Sequence, residues 1–296
     1  MSAMKVHLVD GTYELFRQNF GRAAREPDAG PYAATAGVLM STLQLLADGA
    51  THVAVASDHI IESFRNDLWP GYKTSAGMPP ELLAQIPMIE EALVAMGVTT
   101  WAMVTHEADD ALAAAAAVAD ADERVEQVLI VTPDKDLGQC VRGTRVVQFD
   151  RRKRELIDES GVIAKFGVPP ASIPDYLGLV GDSADGYPGI PGWGAKSTAA
   201  VLARYGHLEQ IPDAAGQWDV PGLRGAAKLS VSLRQDFALA LLFRRIATVE
   251  TDIDVGAVDD WAWSGPTDAF DDWAVTVGEP RLTERAAALA ASRSRR

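Results

Sequence analysis

Three short apolar runs rich in β-branched residues, at 5–9, 52–56 and 127–131, are each followed within three residues by an aspartate: Asp10, Asp58 and Asp134. Helix-period stretches at 34–47, 80–96 and 108–119 separate them, and that alternation specifies a parallel α/β sheet flanked by helices. In open parallel sheets the functional crevice lies beyond the carboxyl ends of the strands. A chain patterned this way therefore delivers a carboxylate from each of three strands to one edge, and we expect a Rossmann-like three-layer domain built around them.

With 296 residues, 48% of them hydrophobic, the chain can bury a large core in one domain with an appendage. From about residue 168 the texture changes to short helices separated by Pro and Gly, with five glycines and two prolines in 181–194. This predicts a core over 1–167, a helical module over 168–255 and a C-terminal extension over 256–296. Within the extension, 260–273 has three tryptophans among acids and no clear period. We read it as an irregular wrap whose tryptophans anchor packing. No internal repeat is present.

A single cysteine, Cys140, excludes an internal disulfide framework and suits a reducing compartment. The start lacks the pattern of an export signal, and the alanine run at 111–117 is too short and too charged at its ends to span a bilayer. A cytoplasmic monomer with no membrane role is expected. The net charge of −14 argues at face value against a nucleic-acid partner, but carboxylates gathered around bound cations invert the local field. Basic residues also cluster, at 151–154 and at Arg293, Arg295 and Arg296.

Further acids stand near the strand ends. Glu107, Asp109 and Asp110 open the helix after the apolar segment 101–104, with Glu107 and Asp110 on one face. First-turn acids are also favoured by the helix dipole alone. Asp134 and Asp136 lie at i, i+2 and point the same way if extended geometry persists. Asp182 and Asp185 sit between glycines in Gly-Asp-Ser-Ala-Asp-Gly, which by itself also reads as an Asx turn or a helix cap. Convergence decides between these readings: carboxylates ~4 Å apart repel by about 4 kcal/mol at an effective dielectric of ~20, so gathering them requires cations. Oxygen donors without a His or Cys cluster select Mg²⁺ or Mn²⁺ over zinc. Two such ions suit the hydrolysis of a phosphodiester.

The segment 189–197 has the look of a nucleotide phosphate loop, but Ala195 separates Gly194 from Lys196 where that loop needs Lys directly after Gly. A hairpin between two helices, offering backbone N–H groups to a nucleic-acid phosphate, fits better. A haloacid dehalogenase-like phosphatase, suggested by Asp10-Gly11-Thr12, would need a second acid at position 12.

Taken together, Leu8-Val9-Asp10-Gly11 with Arg17, Asp58 with Phe64-Arg65 and Tyr72-Lys73, Glu107-Ala-Asp-Asp110, Asp134-Lys-Asp136-Leu137, and Gly181-Asp-Ser-Ala-Asp185 followed by the 188–196 segment resemble the bacterial 5′-nuclease and flap endonuclease family. The likeness, in order and spacing, covers about 5–253. It is found as the 5′-3′ exonuclease domain of family A DNA polymerases and in free-standing form. The resemblance implies a PIN-like core and a helix-three-turn-helix module. It also implies a two-metal mechanism, with Asp10, Asp58, Glu107, Asp109, Asp110 and Asp134 around one Mg²⁺ or Mn²⁺ ion and Asp136, Asp182 and Asp185 around the other. Gly189, Gly192, Gly194, Lys196 and Ser197 would hold duplex DNA, with a potassium ion at the 189–196 hairpin. Within an arch at about 60–90, Lys73 and Arg65 would stabilise charge on the phosphate, and Tyr72 would meet DNA. Arg17 would contact the scissile phosphate or hold nearby carboxylates. Relatives often carry a further Arg where this chain has Ala76, which weakens the expected grip on a flap. The implied substrate is branched or 5′-flap DNA, and the implied partners are a DNA polymerase or sliding clamp. Two alternatives are a non-catalytic structure-specific DNA-binding protein, which would have lost ligands, and a PIN-type ribonuclease, which has no need of a duplex-holding hairpin.

Overall fold

The computed structural model describes residues 4–23 and 30–293; Arg295 and Arg296 of the basic tail lie outside them. In chain order its elements are β1 (Met4–Asp10), α1 (Gly11–Gln18), α2 (Ala33–Ala47), β2 (His52–Asp58), α3 (Phe64–Leu68), α4 (Pro80–Leu83), α5 (Gln85–Ala95), β3 (Thr99–Met103), α6 (Ala108–Ala121) and β4 (Val125–Val131). There follow β5 (Val146–Asp150), β6 (Glu155–Ile157), α7 (Glu159–Phe166), α8 (Ile173–Val180), α9 (Ala195–Tyr205), α10 (Ala226–Gln235), α11 (Phe237–Ala247), α12 (Phe270–Thr276) and α13 (Arg281–Arg293). They form two compact units. One comprises Met1–Ile61, Ser75–Thr132 and Thr251–Arg296, and the other Glu62–Thr74 and Pro133–Glu250. No helix among the described residues is long and apolar enough to cross a membrane.

In the first unit β1 pairs in parallel with β2 on one side and β4 on the other, and β2 pairs in parallel with β3. Right-handed crossovers then place α1, α2 and α5 on one face and the returning helix α6 on the opposite face. The contacts agree: α5 packs against α2, β2 and β3, whereas α6 packs against all four strands. The three expected runs are thus the three strands that carry the expected aspartates, and the layers are those anticipated. Burial of six consecutive residues from Ala111 to Ala116 in α6 follows from side chains small enough to let the backbone lie close on the sheet.

The stretch 80–96 differs from the single helix expected, because it breaks at Ala84 into α4 and α5. Pro87 explains the break. In a continuous helix its nitrogen would have to donate to Leu83, whereas in the first turn of a new helix no donor is needed there.

The C-terminal extension closes the amino-terminal edge of the sheet. Trp263 donates its backbone N–H to the Thr51 carbonyl (2.9 Å) and its indole N–H to the Met96 carbonyl (2.9 Å), while Thr99 Oγ1 donates to the Asp260 carbonyl (2.7 Å). Trp261 is 1% exposed and meets Trp101 edge-on, ring centroids 5.6 Å apart. The reading of these tryptophans as packing anchors holds, but the segment is not irregular to its end, since α12 begins at Phe270.

The second unit carries the antiparallel β5–β6 hairpin and helices α3 and α7 to α11. Its core runs through Leu177, Tyr187, Trp193, Leu202 and Phe243. Tyr187 stacks on Phe243 at 5.3 Å, and Trp69, after α3, meets the other part of that ring edge-on at 5.0 Å.

If the extension is integral to the first unit, Trp261→Ala should lower the unfolding free energy by roughly 3–5 kcal/mol. Urea denaturation followed by far-ultraviolet circular dichroism measures this; a loss under about 1 kcal/mol would show that the segment contributes little.

Candidate metal centre

Each strand-end acid of the first unit is held by a helix start. Asp10 caps α1, its Oδ1 accepting from Tyr13 N (2.8 Å) and its Oδ2 from Thr132 Oγ1 (3.1 Å). Gly11 makes that turn possible, because a Cβ there would lie 2.8 Å from the Ala56 carbonyl oxygen and 2.7 Å from Val55. Asp58 accepts from Ala108 N at the start of α6 (2.8 Å), and its own N–H donates to Thr12 Oγ1 (2.8 Å). Glu107 is the N-cap of α6, and its N–H donates to Asp110 Oδ2 (2.9 Å). Glu107 and Asp110 are buried; Asp109 is half-buried. Backbone N–H groups and the dipoles of α1 and α6 thus stabilise four of these five carboxylates, at adjacent strand ends.

The second unit assembles a tighter set. Ligand oxygens of Asp136, Asp182 and Asp185 lie within 4.8 Å of one another, the one such trio among the described residues. The chain does not stay extended through 134–136. Instead Asp134, itself exposed, accepts from Asp136 N (2.9 Å), and the resulting turn starts a 3₁₀ segment over Asp136–Cys140. The loop 182–187 is closed by Asp182 N to the Tyr187 carbonyl (2.8 Å) and Tyr187 N to the Asp182 carbonyl (3.0 Å). This aims Asp182 and Asp185 at Asp136. Neither aspartate pair relies on the geometry expected from spacing; Asp136, Asp182 and Asp185 converge, and Asp134 stays exposed beside them.

Three carboxylates at such separations repel by roughly 3 kcal/mol per pair at an effective dielectric of ~20. The structure shows the consequences. Burial, with Asp134 nearby, pushes the Asp136 carboxyl well above its usual range. Burial, the largest single influence, would raise Asp182 too, but the hydrogen bond and charge of Lys135 together with the backbone N–H groups of Ala184 and Asp185 outweigh it and hold Asp182 below that range. Asp136 Oδ1 is buried and has no hydrogen-bond partner. An all-oxygen donor set with a buried, unsatisfied carboxylate oxygen fits a hard divalent cation.

Lys73 pairs with Asp185 (3.1 Å) and sits over the Tyr72 ring. Its backbone N–H donates to the Asp185 carbonyl (2.9 Å), so it borders the trio. Arg17 pairs with the buried carboxylate of Glu14 (2.5 Å). Two expectations change. Tyr72, expected at DNA, is 4% exposed and belongs to the unit core. Arg65, expected to face phosphate, is 2% exposed and donates to the carbonyls of Ile246 (2.8 Å) and Thr248 (3.2 Å). It anchors α3 to the end of α11, the carbonyl-rich terminus where a cation is most favourable.

Gly189 and Gly181 interlock: a Cβ on Gly189 would lie 2.4 Å from Gly181 N, and one on Gly181 would lie 2.3 Å from the Pro188 carbonyl carbon. Ile190 and Trp193 bury the inner side of the hairpin, while Gly192, Gly194 and Lys196 are exposed at the start of α9. Ser197 is the reciprocal cap, its Oγ accepting from Gly194 N (3.2 Å).

The sequence reading missed Glu90 of α5. It accepts from Ser57 Oγ (2.6 Å) and pairs with His59 Nδ1 (2.7 Å), so it grips both neighbours of Asp58. Glu90 and Glu91 stand together in an otherwise largely apolar helix, and the sequence does not mark which of them turns inward.

Residues 5–167 match the family model of the 5′-3′ exonuclease N-terminal resolvase-like domain, and residues 168–269 that of the 5′-3′ exonuclease C-terminal SAM fold. Over 257 residues the chain is 34% identical to DNA polymerase I of Rhizobium leguminosarum, covering 83% of this chain and 24% of the polymerase. Over 263 residues it is 33% identical to DNA polymerase I of Mycobacterium leprae, covering 85% and 28%. It thus spans about a quarter of the length of these curated relatives. T5 5′-exonuclease with bound zinc ions is similar in structure, with a TM-score of 0.66 at 20% identity over 96% of this chain and 98% of that one. The catalytic core of Rad2 in complex with DNA substrate gives 0.63 at 17% identity, over 97% and 93%. These structural likenesses concern the fold: a PIN-like α/β domain followed by a helical one.

Removing the Glu90 grip should cost stability at a buried site. Glu90→Ala leaves the fully buried Ser57 hydroxyl without its acceptor and should lower the unfolding free energy by roughly 1–3 kcal/mol, with Glu90→Gln restoring most of it. Equal melting of the alanine variant and the wild type would show that the contact carries no weight.

Proposed function

The chain belongs to the 5′-3′ exonuclease family of nucleases, and from that premise we propose that it hydrolyses phosphodiesters at 5′ ends and 5′ flaps of DNA with two divalent cations. The observation that carries the reading is the trio Asp136, Asp182 and Asp185, whose oxygens converge within 4.8 Å. One Mg²⁺ or Mn²⁺ would be held by Asp136, Asp182 and Asp185, and the other by Asp10, Asp58, Glu107, Asp109, Asp110 and Asp134. Bound cations of this kind supply a nucleophilic hydroxide and stabilise the leaving oxygen.

The chain's own groups prepare that chemistry. Helix starts at α1 and α6 orient Asp10, Asp58 and Glu107. Lys73, beside the trio, can exchange Asp185 for a phosphate oxygen as negative charge develops there. Arg65 acts at one remove, through its hold on the segment that carries Lys73. Arg17 keeps Glu14 neutralised against α1. Exposed Gly192, Gly194 and Lys196, with Gly189 and Ser197 shaping the turn, offer the start of α9 to a duplex phosphate. Backbone carbonyls of the 189–196 hairpin would take the potassium ion. We read residues 168–255 as the duplex-holding module and a DNA polymerase or sliding clamp as partner, because the relatives join this region to a polymerase. Cys140, the single thiol, suits a cytoplasmic protein.

Mg²⁺-dependent cleavage of a labelled 5′-flap duplex, beside a blunt duplex and single-stranded RNA, tests the reading. Asp134→Ala and chelation by EDTA should each reduce flap cleavage roughly a hundredfold or more, since several kcal/mol of charge stabilisation is lost. Equal cleavage of RNA would favour a PIN-type ribonuclease, and undiminished activity in the variant would remove the metal assignment. DNA affinity should fall linearly in a log–log plot against salt, with a slope of about −0.9 per phosphate contacted. A flat response contradicts binding through phosphates.

A further inference from the structure

Lys135 stands where a cation is needed. It lies between Asp134 and Asp136 in sequence, and its Nζ donates to Asp182 Oδ2 while standing 3.4 Å from Asp136 Oδ1. That second oxygen is the buried one with no hydrogen-bond partner. Lys73 on Asp185 completes the arrangement, so two ammonium groups face three carboxylates.

A divalent ion at the trio would draw on the same carboxylates of Asp136 and Asp182 that Lys135 engages. An ammonium and a metal ion held by the same carboxylates repel each other at close range, so each weakens the other's hold. Lysine suits exchange: its charge is a point at the end of a flexible stem, without the fixed fork of arginine. The Lys135 side chain is 32% exposed, which leaves it a path toward solvent.

We propose that Lys135 is a built-in counter-cation of the Asp136–Asp182–Asp185 set, holding the carboxylates together until a divalent ion displaces it and thereby setting that ion's affinity. The proposal rests on the reading of this trio as a cation site.

The test counts and weighs bound Mn²⁺ by isothermal titration and electron paramagnetic resonance, with thermal melting in parallel. Lys135→Met should bind Mn²⁺ at the trio at least tenfold more tightly than the wild type. It should melt lower without metal and gain more on adding Mn²⁺. Lys135→Gln, which keeps a polar group there, repeats the comparison should the methionine variant fold poorly. Lys135→Arg retains the charge and should bind within about threefold of wild type. Unchanged or weaker Mn²⁺ binding in both neutral variants overturns the proposal, as does an arginine variant that tightens as much as they do. Asp182→Asn in the wild-type background separates the two levels of inference by removing one bound ion. An unaltered count there would overturn the cation-site reading itself, and the Lys135 proposal with it.

Discussion

Carboxylates cannot be crowded without compensation, and the two units meet that constraint by different means. In the first, the parallel sheet ends its strands beside helix amino termini, so the N–H groups of Tyr13 and Ala108 are already turned toward Asp10 and Asp58. This compensation is fixed in the backbone. In the second unit Asp136, Asp182 and Asp185 come from a 3₁₀ turn and a closed loop. No helix of useful length starts at them, and the compensating charges are side-chain ammoniums. A side chain can leave; a helix dipole cannot.

That difference shapes what each set can do. The carboxylates capped by α1 and α6 are held in place by backbone N–H groups, so on the proposed function they would need to move little to take up an ion. The trio is the more responsive part. Asp136, pressed into the unit interior with one oxygen unsatisfied, is the group for which replacing an ammonium by a divalent ion changes most.

The strands and their aspartates were legible because period and composition agree there: β-branched runs flanked by helix-period stretches admit few alternatives. The ligand trio was legible as residue types but not as geometry. Asp134 and Asp136 were expected to share a direction along an extended strand, whereas a side-chain-closed turn brings Asp136 inward and leaves Asp134 exposed. Arg65 and Tyr72 both turn inward: on α3 only Arg65 is buried, donating to carbonyls at the end of α11, and Tyr72, beyond that helix, packs into the unit core. Glu90 was invisible because its partners, Ser57 and His59, lie more than thirty residues away, and nothing in a helix marks which acid will reach a strand end.

The net charge of −14 is the observation that sits least easily with a nucleic-acid substrate, and its distribution resolves the difficulty. The second unit holds 17 Lys and Arg against 16 Asp and Glu, so the whole deficit lies in the first unit. Four of those 16 acids are Asp134, Asp136, Asp182 and Asp185. With their charge taken up by cations, the unit that carries Lys73 and the hairpin around Lys196 is basic. A uniformly basic surface would bind any duplex at any time. On the proposed function, the electrostatic attraction for phosphate would depend on the same ions that the chemistry requires, so binding and cleavage would be coupled through one set of carboxylates.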